Sequence, residues 1–238
     1  MSQIKAEYID HMGDDLRVVN AARVSFNKES KWEEGESCAC YAHCECECAC
    51  GNFDSKGGLS KKDEKLLHYL ATHGHFTPFT HPMITLRETV PIFVARQRFK
   101  HVVGFTYNEV SRRYVDDEPE FYIPDVWRSR PEGSAKQGSS GEHSNSELIK
   151  ETVVNITGDA LLVYKEMIEA GVAPEQARMV LPQSMTTAYY VTGSLAAFAR
   201  AYKQRSDNHS QKEIQDLAVE WDKVIRPLFP VSWEVLTN

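Results

Sequence analysis

The sequence predicts a single domain of the α+β class. Runs rich in Thr, Val and Tyr, as strands are, lie among stretches whose apolar residues recur at helical spacing. The chain has 238 residues, 42% hydrophobic and 26% charged, enough to bury a substantial core as one unit. No Gly-x-Gly-x-x-Gly occurs, so a separate dinucleotide-binding domain is not supported. Without internal repeats, residues 1–238 are expected to form one domain with a Cys-rich insertion at about 36–52 and a flexible loop at about 129–146.

In chain order, a strand is predicted at Ile4 to Ile9 and a short helix from Asp15 to Val24. Ser60-x-x-Asp63 opens a helix with Leu66, Leu67 and Leu70 on its apolar side, and Met83 to Val90 reads as a strand. Pro91 suits the first turn of a helix, where its missing N–H would be unbonded anyway, and Gly104 offers a stop. On that helix Arg96 and Lys100 stand four apart, as do Gln97 and His101, while Ile92, Phe99, Val102 and Val103 supply apolar contacts. Thr106 to Tyr114, poor in helix formers, reads as a loop. The Ser-, Gly- and Glu-rich stretch from Ser129 to Ser146 is expected to be a mobile surface segment. A long amphipathic helix follows from Ser146 to Ala170, ending at Gly171. Pro174 starts a short helix bearing Arg178, and Ser184 to Thr192 is strand-like. Helices at Ser194–Arg205 and Ser210–Ile225 complete the pattern, with Arg205 and His209 expected four apart on one side.

A net charge of −7 argues against a general nucleic-acid-binding surface but leaves room for a local cationic pocket. No long apolar run or leader segment is present, so neither membrane nor secretion is expected, and a cytoplasmic protein is the default. All six cysteines fall between Cys38 and Cys50. Alternating thiolates suit Zn or Cu(I), yet their spacing misses the two-residue gaps of common structural zinc sites. No metal is assigned, and the Cys38–Cys50 cluster is the one candidate. Disulfides do not suit a reducing cytosol.

The chemistry concentrates between Arg96 and Tyr114, where cations and hydrogen-bonding side chains gather in an otherwise acidic chain. The Ser111 hydroxyl, nearby backbone N–H groups and the Arg113 fork form a phosphate-binding pattern.

Lys100-His101, Thr106, Asn108-Glu109, Ser111 and Arg113-Tyr114 resemble the signature of the flavin-dependent thymidylate synthases, which runs Arg-His-Arg, two residues, Ser, one residue, Asn-Glu, one residue, Ser, one residue, Arg-Tyr. Lys100 replaces an Arg, Val102 stands where a second Arg belongs, and one extra residue precedes Thr106. Two remote segments agree. His75, Thr77 and His81 match the family's His-x-Thr-Pro-Phe-x-His turn, and Glu175 to Pro182 precedes Arg205 to Gln211, which is similar to its Arg-x-Asp-x-His-x-Gln helix.

The resemblance implies a mainly antiparallel sheet packed by helices, and reductive methylation of dUMP to dTMP. Methylenetetrahydrofolate would supply the carbon, NADPH the reducing equivalents and FAD the hydride, in a homotetramer with shared active sites. It implies Arg205 as the catalytic cation at the pyrimidine N3–C4 edge. Gln97, Lys100, Glu109, Ser111, Arg112, Arg113, Arg178 and Arg205 are implied for dUMP; His75, Thr77, Lys100, His101, Glu109, Ser194, Arg200 and His209 for FAD. Where the family has further polar contacts this chain has Ser194 and Ala196, so Arg98 and Arg200 are candidates to reach the FAD pyrophosphate. Two other classes stay open: a non-catalytic nucleotide-binding protein derived from this family, and a metal-handling protein acting through the Cys segment.

Overall fold

The computed structural model describes residues 4–33, 57–115, 117–133 and 138–238. Four strands, β1 (Lys5–Met12), β2 (Met83–Pro91), β3 (Phe105–Glu109) and β4 (Thr186–Ser194), form one antiparallel sheet in the order β1-β2-β4-β3. The α+β class and the antiparallel sheet are as expected. In β2 the alternation is plain: Ile84, Leu86, Glu88 and Val90 are buried, whereas Arg87 is exposed. Register pairs Glu88 with Tyr189 and Leu86 with Val191, so both inner strands present the same face to the core.

Eight helices complete the described residues: α1 (Asp15–Arg23), α2 (Lys61–Thr72), α3 (Ile92–Arg98), α4 (Ser146–Glu169), α5 (Pro174–Ala177), α6 (Leu195–Arg205), α7 (Lys212–Leu228) and α8 (Pro230–Thr237). The helices α3, α6, α7 and α8 supply Val94, Phe198, Trp221, Ile225 and Trp233 to the core beneath the sheet. The other face of the sheet is polar, with Arg87 bonded to Glu7 at 3.1 Å and Thr85 to Thr192 at 3.0 Å. Helix starts follow local chemistry. Asp14, Ser60 and Ser194 each accept a backbone N–H of the first turn of α1, α2 and α6. The buried Asp15 carboxylate accepts the Val231 and Ser232 N–H groups, both at 2.9 Å, so α1 caps the last helix.

Several expectations are corrected. The helix opened by Pro91 ends at Arg98, short of Gly104, so Lys100 and His101 leave its surface. Val102 and Val103 are exposed rather than packed. The reason is the left-handed backbone at Gly104 (φ +80°), which turns the chain back toward the sheet where a Cβ would sit 2.9 Å from that of Ala197. The expected loop from Thr106 begins as the edge strand β3, in which Phe105 and Tyr107 alternate with the exposed Thr106 and Asn108. Arg205 and His209 do not share a helix: α6 stops at Arg205, and His209 lies in the following turn, bonded to Asp207 through its backbone N–H at 2.8 Å. Beyond the expected end at Ile225, α7 runs on to Leu228 and a further helix, α8, starts with Pro230 as its first residue.

The Cys38–Cys50 cluster lies outside the described residues. The flanks of its segment meet, Glu33 N–H donating to the Gly58 carbonyl at 3.0 Å. Within the 129–146 loop, Ser129 N–H donates to the Gly141 carbonyl at 2.8 Å, and just before it Arg128 reaches Glu213 on α7 at 2.7 Å. Among the described residues no helix is long and apolar enough to cross a membrane, and no group of three metal-binding side chains gathers.

Candidate functional site

Apart from Lys100, which lines neither, the implied nucleotide residues divide between two cavities that share no lining residue. The larger, of about 770 Å³, lies against the polar face of the sheet and is lined by Arg87, Glu109, Ser111, Arg112, Arg113 and Arg178 among others. β3 delivers this loop: the strand ends at Glu109, whose carboxylate accepts the Thr187 hydroxyl at 2.8 Å. The next turn brings the Ser111 hydroxyl to Arg113, which donates to it through Nε and the backbone N–H, both at 3.4 Å. These long bonds leave the arginine fork available to a phosphate. Arg113 also lies 5.0 Å from the centre of the Tyr114 ring. Arg112 differs, since its guanidinium is held by Asp117 at 2.8 Å. Arg178 stands on a single 3-10 turn after α5, exposed, with Nε on the Glu175 carbonyl at 3.3 Å.

The second cavity, of about 620 Å³, is lined by Gln97, Arg205, His209 and Gln211. Gln97, in the last turn of α3, donates to the side-chain oxygen of Gln211, the Gln that closes the Arg205–Gln211 segment. Arg205 donates through Nε to His101 Nε2 at 2.9 Å. Arginine has no acceptor to offer, so this His101 nitrogen is the bare one and the ring is neutral. Burial, followed by the charges of Arg205, Arg98 and Arg200, pushes His101 down to about 4, which keeps it neutral at ordinary pH. Burial and the nearby Arg98 charge also lower Arg205, so negative charge arriving at its terminal nitrogens would be favoured.

The implied flavin residues are spread more widely. Lys100 and Arg200 are exposed, and Arg200 donates to the Val103 carbonyl, which brings it beside the turn that follows Lys100. His75 and Thr77 are exposed, and His75 stacks near Tyr69 at 6.0 Å between ring centres. Ser194 is buried as the cap of α6, its hydroxyl accepting Ala197 N–H at 3.2 Å, so it is not presented to either cavity. Arg98 has no exposed surface and points into the core, which removes it as a pyrophosphate contact.

Residues 7–231 match the family model described as thymidylate synthase complementing protein. A flavin-dependent thymidylate synthase of Thermotoga neapolitana is 36% identical over 228 residues, covering 96% of this chain and 88% of the relative. One from Thermosipho melanesiensis is 35% identical over 227 residues, covering 95% and 87%. Among solved structures, the UMP/dUMP methylase PolB from Streptomyces cacaoi bound with 5-Br dUMP is similar with a TM-score of 0.80 and 26% identity, over 100% of this chain and 96% of that one.

Proposed function

Because this chain belongs to the thymidylate synthase complementing proteins, the flavin-dependent thymidylate synthases, we propose that it converts dUMP to dTMP by reductive methylation. Methylenetetrahydrofolate is the carbon donor, FAD the flavin and NADPH the reductant in this reading. The observation that carries it is Arg205, which lines the second cavity with its Nε held by His101.

Methylation at uracil C5 requires negative charge to develop across the pyrimidine N3–C4 edge. Arg205 meets that need: its Nε is engaged by His101, which leaves both terminal nitrogens for the ring. Neutral His101 fixes the guanidinium without adding a repelling charge. Ser111 and Arg113 take the nucleotide phosphate, Arg178 closes the same cavity, and Gln97 sits beside Arg205 to recognise the base. Glu109, held by Thr187, accepts from sugar or flavin, and Arg112 serves through its order with Asp117.

The described residues fit a flavin dinucleotide: Lys100 and Arg200 give two exposed cations beside one turn for its diphosphate, and His75 stacked near Tyr69 gives a flat surface. When bound, the flavin would supply the hydride that completes the methyl group. Thr77, His101 and His209 complete that proposed contact set.

A homotetramer is part of the proposal. Two cavities on one chain, one with Glu109, Ser111, Arg112, Arg113 and Arg178 and the other with Gln97 and Arg205, call for a second copy to unite them. Helix α4 offers an apolar surface for it, with Leu148, Val154, Ile156 and Leu162 exposed.

The test incubates purified protein with dUMP or UMP, FAD, NADPH and methylenetetrahydrofolate and measures nucleotide mass. A gain of one methyl group on dUMP that needs every component, and falls at least ~100-fold in Arg205→Ala, is expected. Binding of dUMP without methylation would return the reading to a nucleotide-binding protein. Coexpressed Arg205→Ala and Arg113→Ala chains should recover part of the activity that each lacks alone, and no recovery would count against shared sites.

A further inference from the structure

Glu88 stands where β2's alternation calls for an apolar residue, sharing a face with Ile84, Leu86 and Val90, and neither it nor Arg98 has exposed surface. Its carboxylate accepts Arg98 Nε at 3.1 Å, the Tyr189 hydroxyl at 2.6 Å and the Trp221 indole N–H at 2.8 Å. The Arg98 guanidinium lies 4.3 Å from the centre of the Phe105 ring and 4.6 Å from that of Trp221. Through Nη1 it donates to the Tyr107 hydroxyl at 2.6 Å, and that hydroxyl donates to the backbone carbonyl of His101 at 2.7 Å. The His101 ring then accepts Arg205 Nε at 2.9 Å. One run of bonds therefore joins the central strand to the guanidinium at the cavity rim.

Stability alone does not explain this arrangement, because apolar residues of similar volume commonly serve a core as well as a buried ion pair does. Direction does explain it. His101 lies beyond the end of α3, between exposed Lys100 and Val102, and its backbone is tied by two bonds: its N–H to the Arg98 carbonyl at 3.1 Å and its carbonyl to Tyr107. Both lead to Arg98 or its partner. Phe99 and Tyr189 pack edge-on around Tyr107, leaving that ring little freedom.

We propose that Glu88, Arg98 and Tyr107 are positioning residues for Arg205, holding His101 where its Nε2 fixes the guanidinium. This rests on the reading of Arg205 as the cation that acts on the pyrimidine. None of the three touches substrate; each acts through the peptide that carries His101.

A double-mutant cycle tests this. Tyr107→Phe keeps the packed ring and removes the hydroxyl. It is expected to lower kcat for dTMP formation about tenfold with dUMP KM changed less than about twofold. In an Arg205→Lys background, the same substitution should change the residual kcat by less than about twofold, because the group being positioned is already altered. Equal fold losses in both backgrounds, or no loss in the wild-type background, overturn the positioning role, whatever happens to Tm. Should Tyr107→Phe fail to fold, Arg98→Lys reads the same cycle, since it keeps a cation beside Glu88 and loses the fork that reaches Tyr107. Wild-type protein is assayed alongside. Absence of dTMP from it overturns the functional reading and this one together, whereas dTMP from wild type with equal losses overturns only the positioning.

Discussion

Arg98→Met should leave the Glu88 carboxylate in the core with neutral donors only. In the native protein that carboxylate faces Arg98 Nε at 3.1 Å and Nη2 at 3.3 Å, with the Tyr189 and Trp221 donors on its other side. Removing one partner of a fully buried pair costs about 3–5 kcal/mol, because the remaining charge has no counterion and no water. A domain's whole stability is roughly 5–15 kcal/mol, so the loss is a large part of it. For a chain of this length it corresponds to a Tm lower by about 6–20 °C. Glu88→Gln combined with Arg98→Met removes both charges while keeping an oxygen for the Trp221 N–H and an amide N–H that the Tyr189 hydroxyl can accept, and should fall within about 2 kcal/mol of wild type. Urea unfolding followed by far-UV circular dichroism, at one fixed protein concentration, measures both. A single variant within about 1 kcal/mol of wild type, or a double variant as unstable as the single, would refute the reasoning.

His101 is held near 4 against an ordinary value of 6.5, so the folded state binds fewer protons than the unfolded state between those values. Stability attributable to this group is therefore complete above about 6.5 and lost as pH falls toward 4, and His101→Gln should flatten that part of the stability profile measured by denaturant titration. Gly104→Ala combines a left-handed backbone with a Cβ placed 2.9 Å from that of Ala197, and should cost about 1–3 kcal/mol in the same titration. Replacement of all six cysteines by serine is expected to leave dTMP formation within about twofold of wild type, since the segment's flanks are already joined by the Glu33–Gly58 bond. A larger loss in a folded protein would assign the cysteines a part in the chemistry.

Sequence alone determined the elements whose signals are local. The capping serine at Ser60, the Pro91 start, the long apolar period of α4 and the β-branched run of β4 each act on neighbours a few residues away, and all four elements are present. The ordered motif residues likewise identified Arg205, Ser111 and Arg113 as the groups to watch. Tertiary structure decided the rest. The strand β3 exists because its backbone pairs with β4 about eighty positions away, a partner its own composition does not announce. Arg98 reads as one more cation in a charged run, and only the fold gives it Glu88 as a counterion and aromatic rings as walls. His101 reads as a flavin contact, and only the fold sets it on Arg205. In each case charge burial and long-range pairing depend on which surfaces meet once the sheet closes over α3, α6 and α7, and residues distant in the chain carry no spacing that records such a meeting.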